Sequence, residues 1–311
     1  MIAEVTASPS VFDQTAYSAP EICERQMESI KDALMQRSLL RDLRDGGLTA
    51  KILSSSSVSP RGKEILKKMR TRGRITSEAP CGNSTPVHES EWVTEGLQAH
   101  TRRPLGCVLT TGATKELFAS NDIVEDVHKM TRTAWWKESA RVSWRVQRSQ
   151  QDFLKHLEPL LIHSNSLQFI EPFFDPSDQS DYGWFNEVIR VLATRERPAS
   201  LEIHRGCVSG SGRSATIFTT DQIMNKFSPL SKELEAVGLK ATVFVWMEMH
   251  NRYLLTNIGG FQLGNSLIER PAQLKDTWAC LDRHTQDDIQ REYDPSASSN
   301  RFKFNFPIGA S

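Results

Sequence analysis

Val243-Phe-Val-Trp-Met-Glu-Met-His-Asn-Arg-Tyr-Leu-Leu-Thr-Asn-Ile-Gly-Gly-Phe-Gln-Leu-Gly-Asn-Ser-Leu267 is the stretch around which the rest of the chain is read. It opens on the apolar run Ala241–Trp246, which reads as a buried strand. His250 and Arg252 follow two residues apart, so on extended backbone both point to one face. Tyr253-Leu254-Leu255 read as more strand, Gly259-Gly260 as a turn, and Gly264-Asn265 close a second short apolar run. A histidine, a guanidinium and the Asn257 amide on one strand–turn–strand unit suit a phosphate better than a core, and the glycines permit close backbone approach.

The three strands that lead to this stretch come from an alternating pattern. Ser149 caps a helix with apolar face Phe153, Leu154, Leu157, Leu160 and Leu161. Ser166–Phe174 reads as a strand, Tyr182–Thr194 as a helix, and Ala199–His204 as a second strand. Thr220–Val237 reads as a helix bent near Pro229, followed by Ala241–Trp246 as the third strand. This β-α-β-α-β order predicts a partly parallel sheet with helices packed on it, and ligands in such sheets sit beyond the C-terminal strand ends. Those ends carry Glu171 and Asp175, His204 and Arg205, then Glu248, His250 and Arg252. Beyond Leu267 the pattern predicts a helix over 272–289 and a last strand at Phe302–Phe306. The Gly-Ser-rich Gly206–Gly212 loop with Arg213 reads as a flexible connection.

Upstream, residues 1–20 read as a loose arm, and Ile22–Leu43 as an amphipathic helix stopped by Gly46-Gly47. Leu48–Leu53 reads as a short strand, Leu105–Thr111 as another, and Ser120–Met130 as a capped helix. Between Ile75 and Arg103 the composition predicts loops with one helix around Glu91–His100. The domain division expected is an arm at 1–20, an α/β lobe at 21–130 and a second domain at 131–311. The densest basic run, with Lys63, Lys67, Lys68, Arg70, Arg72 and Arg74, reads either as a phosphate-contacting segment or as a solvated helix face, with Ile65, Leu66 and Met69 on its apolar side. Trp135, Trp136 and Trp144 among Arg141, Arg145 and Arg148 read as packing rather than as a clamp for single-stranded nucleic acid.

Composition sets the bounds. The 311 residues carry 38 Lys+Arg against 38 Asp+Glu, so any nucleic-acid role must rest on local patches. The mean hydropathy of −0.43 and the shortness of every apolar run exclude helices that span a bilayer. No basic segment followed by an apolar one opens the sequence, and five scattered cysteines never take C-x-x-C spacing. The expectation is a cytoplasmic protein without cofactor, metal or membrane attachment. His88, His100, His128, His156, His163 and His284 have no spacing that suggests metal ligation.

His250-x-Arg252-x-x-x-x-Asn257, followed after six residues by Gly264-Asn265, resembles the phospholipase D superfamily motif of His-x-Lys, four residues, Asp and a Gly-rich end. Phe169-Ile-Glu-Pro-Phe-Phe-Asp-Pro176 is also similar to that family, and the resemblance runs from about Arg145 to Ile268. It extends to phospholipase D-like modules of uncharacterised bacterial proteins and to the C-terminal domain of some MIT-domain proteins. It implies an α/β fold: a phospholipase D-like mixed sheet flanked by helices, beside an α/β N-terminal lobe of its own type. It further implies that His250 is the nucleophile or acid and Arg252 the phosphate clamp, with Asn257, Gly264 and Asn265 in the ligand set. Glu171 and His204 join that set as strand-end groups, and His204, which lacks the His-x-Lys spacing, reads first as a structural histidine and second as the missing partner. Asn257 stands where the family has aspartate, and an amide does not stabilise an imidazolium as a carboxylate does. A single motif copy requires a second chain or another histidine.

Two functions follow. One is a non-catalytic descendant that binds phosphodiesters, nucleic acid or partner proteins as an accessory subunit of a larger bacterial assembly, such as a defence or mobile-element system. The other is a metal-independent nuclease that works as a homodimer through His250.

Overall fold

A computed structural model of the chain describes residues 2–209, 216–268, 270, 274–297 and 301–310, and divides into two compact units, Met1–Arg141 and Val142–Ser311. In the first unit β1 (Ala3–Ala7), β2 (Ser38–Asp42), β3 (Ile75–Glu78), β4 (Cys107–Thr110) and β5 (Val124–Asp126) form one sheet, ordered β3-β2-β1-β4-β5. Every neighbouring pair is parallel. Parallel pairing requires long crossovers. These are supplied by α1 (Pro20–Arg37), α2 (Leu43–Ser54), α3 (Pro60–Thr71), α4 (Glu89–Arg102) and the short α5 (Gly112–Leu117), with α6 (Ala134–Ser139) after β5.

The expected arm at 1–20 is corrected: β1 is the central strand, and Val5 and Ala7 lie in the core. Its polar residues hid it. Glu4 is buried, with Oε2 2.5 Å from Nη2 of the fully buried Arg41 on β2, and Thr6 donates to the Arg41 carbonyl at 2.9 Å. Two charges buried as a hydrogen-bonded pair read in sequence like two solvent positions. Pairing with β1 likewise ends the first helix at Arg37 and draws Ser38–Asp42 into the sheet. Leu48–Leu53 is helical rather than a strand, and 120–130 holds β5 and a 3-10 turn, Val127–Arg132. Trp135 and Trp136 pack on the core of this unit, so it ends at Arg141 rather than at 130.

The basic run lies on α3 and its C-terminus. Ile65, Leu66 and Met69 are buried, while Lys67, Lys68, Arg70 and Arg72 face solvent and Lys63 is half-buried. Lys68 pairs with Glu64 at 2.5 Å one turn away. Arg74 is not part of any exposed basic surface: it is buried and donates to the Ser38 carbonyl at 3.0 Å, which corrects its assignment as a nucleic-acid contact.

The second unit is built on β6 (Ser143–Gln147), β7 (Ser166–Ile170), β8 (Ser200–Gly206), β11 (Lys240–Trp246), β12 (Arg252–Thr256), β13 (Gly259–Leu263), β14 (Lys275–Cys280) and β15 (Phe302–Gly309). The sheet order is β15-β11-β8-β7-β12-β13-β14-β6. A separate antiparallel ribbon joins β9 (Val208–Ser209) to β10 (Thr216–Ile217). The Gly206–Gly212 loop with Arg213 lies, from residue 210 to 215, outside the described residues. Helices α7 (Gln150–His163), α8 (Gln179–Tyr182), α9 (Phe185–Ala193), α10 (Thr220–Ala236) and α11 (Arg283–Glu292) complete the unit.

The alternating segments pair as expected: β7 with β8 and β8 with β11, all parallel. Every other pairing in this sheet is antiparallel, so the sheet is mixed and the chain is α/β. The helix expected over 272–289 is corrected: Lys275–Cys280 is β14, the helix begins at Arg283, and 271–273 lie outside the described residues. Asp276 and Trp278, two apart, are both buried, which is the period of a strand. Phe169, Trp278 and Phe261 on one sheet face meet Phe153 of α7 and the rings of Trp184 and Phe185. On the other face Ile170, Trp246, Tyr253 and Leu255 pack against Ile289 and Tyr293.

Where β2 leaves the first sheet, Arg44 and Asp45 take φ values of 60° and 52°, left-handed backbone that costs a non-glycine residue about 1–2 kcal/mol. Asp45 contributes only an exposed hydrogen bond from Ser77. Asp45→Gly is therefore expected to stabilise the first unit by about 1 kcal/mol in urea denaturation; unchanged or reduced stability would show that the turn is relaxed.

Candidate functional site

The antiparallel entry of β12 beside β7 decides the site. Tyr253 pairs with Ile170, so Arg252 stands level with Glu171, one residue beyond the end of β7. Alternation puts both on the face that carries Leu254 and Phe169. Arg252 Nε lies 3.4 Å from Glu171 Oε1 and donates to Ser266 Oγ at 3.1 Å, and that hydroxyl donates to Oε1 at 3.0 Å. Phe173 N–H also donates to Oε1, at 3.3 Å, while Oε2 has no hydrogen-bond partner among the described residues. Glu171 is fully buried, and loss of water pushes its carboxyl above the usual range, with Arg252 and the hydrogen bonds pulling the other way. Arg252 keeps 21% of its side-chain surface and lies 5.7 Å from the centre of the Phe173 ring, itself 44% exposed.

Arg205 occupies the next strand end on the same face, since Ile170 pairs with His204 and the register continues. Its Nε donates to the Gly206 carbonyl at 2.9 Å, its guanidinium lies 5.4 Å from the Phe218 ring centre, and its Nη1 is buried with no hydrogen-bond partner among the described residues. Burial lowers its proton affinity. Lys226 of α10 lies 5.0 Å from the same ring and pairs with Asp175, which holds that carboxylate below its usual range despite burial. The strand ends thus gather Arg205, Lys226 and Arg252, with Phe173 and Phe218 as aromatic surfaces. Among the described residues no cluster of His, Cys, Asp and Glu is arranged to hold a metal ion. No helix there is long and apolar enough to cross a membrane.

Comparisons with known proteins identify no family. No family model matches the chain, and no curated protein does. Among solved structures the chain is similar to TrmBL2, an archaeal chromatin protein whose structure is described as showing a novel mode of DNA binding. Identity is 13%, 82% of this chain and 87% of that chain are covered, and the TM-score is 0.31. A likeness of that size carries no argument about this chain.

The expected site residues part company. Glu171 and Arg252 meet. His250 is exposed just before β12, its carbonyl 3.4 Å from Arg252 Nη1, and its ring makes no hydrogen bond, ion pair or ring contact with another histidine among the described residues. Asn257 does not join them. It lies in the turn past the far end of β12, roughly 16 Å from Arg252 at the rise of a strand, where its Oδ1 accepts from the Asn165 N–H at 2.7 Å. Gly264 and Asn265 hold the backbone beside β14: Asn265 donates through N and Nδ2 to the buried Asp276 at 3.1 and 2.9 Å.

His204 belongs to the opposite face, which removes it from the ligand set and agrees with its reading as a structural histidine. It stacks on Phe244 and Trp246, accepts from Trp246 Nε1 through Nδ1 at 3.1 Å, and faces Glu202 with Nε2 at 3.5 Å. That network assigns the neutral Nε2–H tautomer and leaves no nitrogen lone pair free for a substrate. Ser266, Phe173 and Lys226 are the site residues that sequence reasoning missed, whereas Arg205 stands at the strand end where the alternating pattern put it. Ser266 follows directly after Gly264-Asn265, a signal that was available; Lys226 sits on a helix over 50 residues from Asp175 and had none.

Removing Arg252 leaves Glu171 buried without its cation. Arg252→Ala is expected to cost about 3 kcal/mol near pH 8. Because the raised carboxyl takes up a proton on acidification, the difference from the parent should shrink as pH falls toward 4–5, about where the unfolded carboxyl titrates. Urea denaturation at both pH values checks this, and a pH-independent loss would contradict it. Burial lowers the proton affinity of His204, so its contribution is complete above the unfolded value of about 6.5 and declines as pH falls. His204→Gln keeps an acceptor for Trp246 and is expected to flatten that decline; an unaltered stability–pH slope would contradict the buried neutral imidazole.

Proposed function

We propose that the unit Val142–Ser311 is a phospholipase D-like module that holds a phosphodiester of single-stranded nucleic acid without cleaving it, as an accessory subunit of a larger assembly. The observation that carries this reading is the Arg252–Phe173 pair at the strand ends, an oriented guanidinium over a half-exposed aromatic ring. Glu171 and Ser266 fix Arg252 through Nε, so its outer nitrogens meet a phosphoryl oxygen in a preset orientation. Phe173 offers a face for the adjoining base, a contact that tolerates any sequence. Arg205 and Lys226, which flank the Phe218 ring, add positive charge along the same edge.

Cleavage needs a nucleophile and a proton donor on opposite sides of phosphorus. His204 is committed to the core and Asn257 to the opposite end of the sheet. One observation favours the second reading, a homodimeric nuclease: His250 is exposed and reachable by its counterpart in another copy.

Fluorescence anisotropy with a labelled single-stranded DNA oligonucleotide tests both. Binding is expected to fall steeply with salt. Phe173→Ala is expected to weaken it roughly tenfold, the scale of one lost base stack, with no cleavage in EDTA and no effect of His250→Ala. Cleavage in EDTA that His250→Ala abolishes would establish the nuclease instead. Absence of binding at low salt would sink the module reading.

A further inference from the structure

A second concave site lies in the first unit, beyond the C-terminal end of β2. The chain leaves the sheet there through Leu43-Arg44-Asp45-Gly46-Gly47, with three consecutive left-handed residues, Arg44, Asp45 and Gly46. This turn carries Arg44 toward α4, where Nη1 lies 3.2 Å from both Glu95 oxygens and 3.1 Å from the Gly82 carbonyl. A Cβ on Gly47 would come within 3.0 Å of Arg44 Cβ, so position 47 presents bare backbone. Asp42 already caps the helix that follows: it accepts from Thr49 N–H at 3.0 Å and from the Thr49 hydroxyl. The helix start is therefore satisfied from within, and the strained turn serves the space in front of it.

That space is an open cleft of about 430 Å³, within the range of small-molecule sites. Arg44, Lys51, Thr85, Pro86, Val87 and Trp92 line it, with Pro86 and Trp92 buried and Val87 exposed. Glu95 balances Arg44, whereas Lys51 is exposed and has no ion-pair partner among the described residues. Val87 is 69% exposed, an apolar surface left to water. The cleft lining thus carries one positive charge without an ion-pair partner among the described residues and one exposed apolar side chain.

We propose that this cleft binds a phosphorylated small molecule of nucleoside-monophosphate size, its phosphate on Lys51 and its ring system against Val87. The site does not depend on the reading of the second unit. Isothermal titration of the full chain with AMP, GMP, CMP, UMP and inorganic phosphate tests it. At least one nucleotide is expected to bind saturably and more tightly than phosphate alone. Lys51→Glu, at an exposed position, should weaken that binding at least tenfold. Lys67→Glu on α3 and Lys232→Glu on α10, both exposed, should leave it unchanged. Failure of all five probes would overturn the proposal, as would phosphate matching the nucleotides or insensitivity to Lys51→Glu.

Discussion

The carboxyl of Glu171 is fully buried one residue past the end of β7, and the arrangement around it follows from making that burial tolerable. A lone buried carboxylate is costly enough to protonate or to destabilise the fold. Arg252 and Ser266 reach it from two other segments, and they do so only because β12 runs antiparallel to β7 and β13 turns the chain back. The contact therefore checks strand register: a one-residue slip of β12 would send Arg252 to the opposite face and leave Glu171 alone. It also gives the site its character, since an arginine fixed through Nε is oriented before any ligand arrives.

The first unit uses the same device deeper in its sheet. Arg41, with no exposed surface, is held by Glu4 through two hydrogen bonds and by the carbonyls of Ala99 and Arg103 at the end of α4. Glu4 in turn accepts from Thr76 and pairs with Arg103. The charges tie β1, β2, β3 and α4 together, and removing either partner would leave an uncompensated buried charge. In both units a buried acid–base pair specifies which strands are neighbours, at positions where apolar residues would be less selective.

Sequence reasoning did best where hydrophobic period and connection agreed. Phe153, Leu157, Leu160 and Leu161 repeat at helical spacing and are buried, and the three strands flanking α9 and α10 pair in parallel as their order predicts. It did worst where polar residues lie inside. Ala3–Ala7 looks like an arm because Glu4 and Thr6 interrupt it, and Lys275–Cys280 merges with the helix that follows because Asp276 is read as a solvent position. His204 and Arg205, adjacent in sequence, point to opposite faces with different fates, a stacked core ring and a guanidinium beside the Phe218 ring.

The amino-acid sequence by itself determined the α/β class, the parallel trio of strands and the approach of Arg252 to the strand edge where Glu171 lies. Those follow from short-range periodicity and from the rule that ligand-facing groups sit at strand ends. Only the tertiary structure decided that Asn257 stands a strand length from Arg252, that Ser266 and Phe173 complete the site, and that β1 is the centre of its sheet. Those facts depend on which strands become neighbours and in what register, and they are set by pairs such as Glu171–Arg252 and Glu4–Arg41, whose partners lie tens of residues apart.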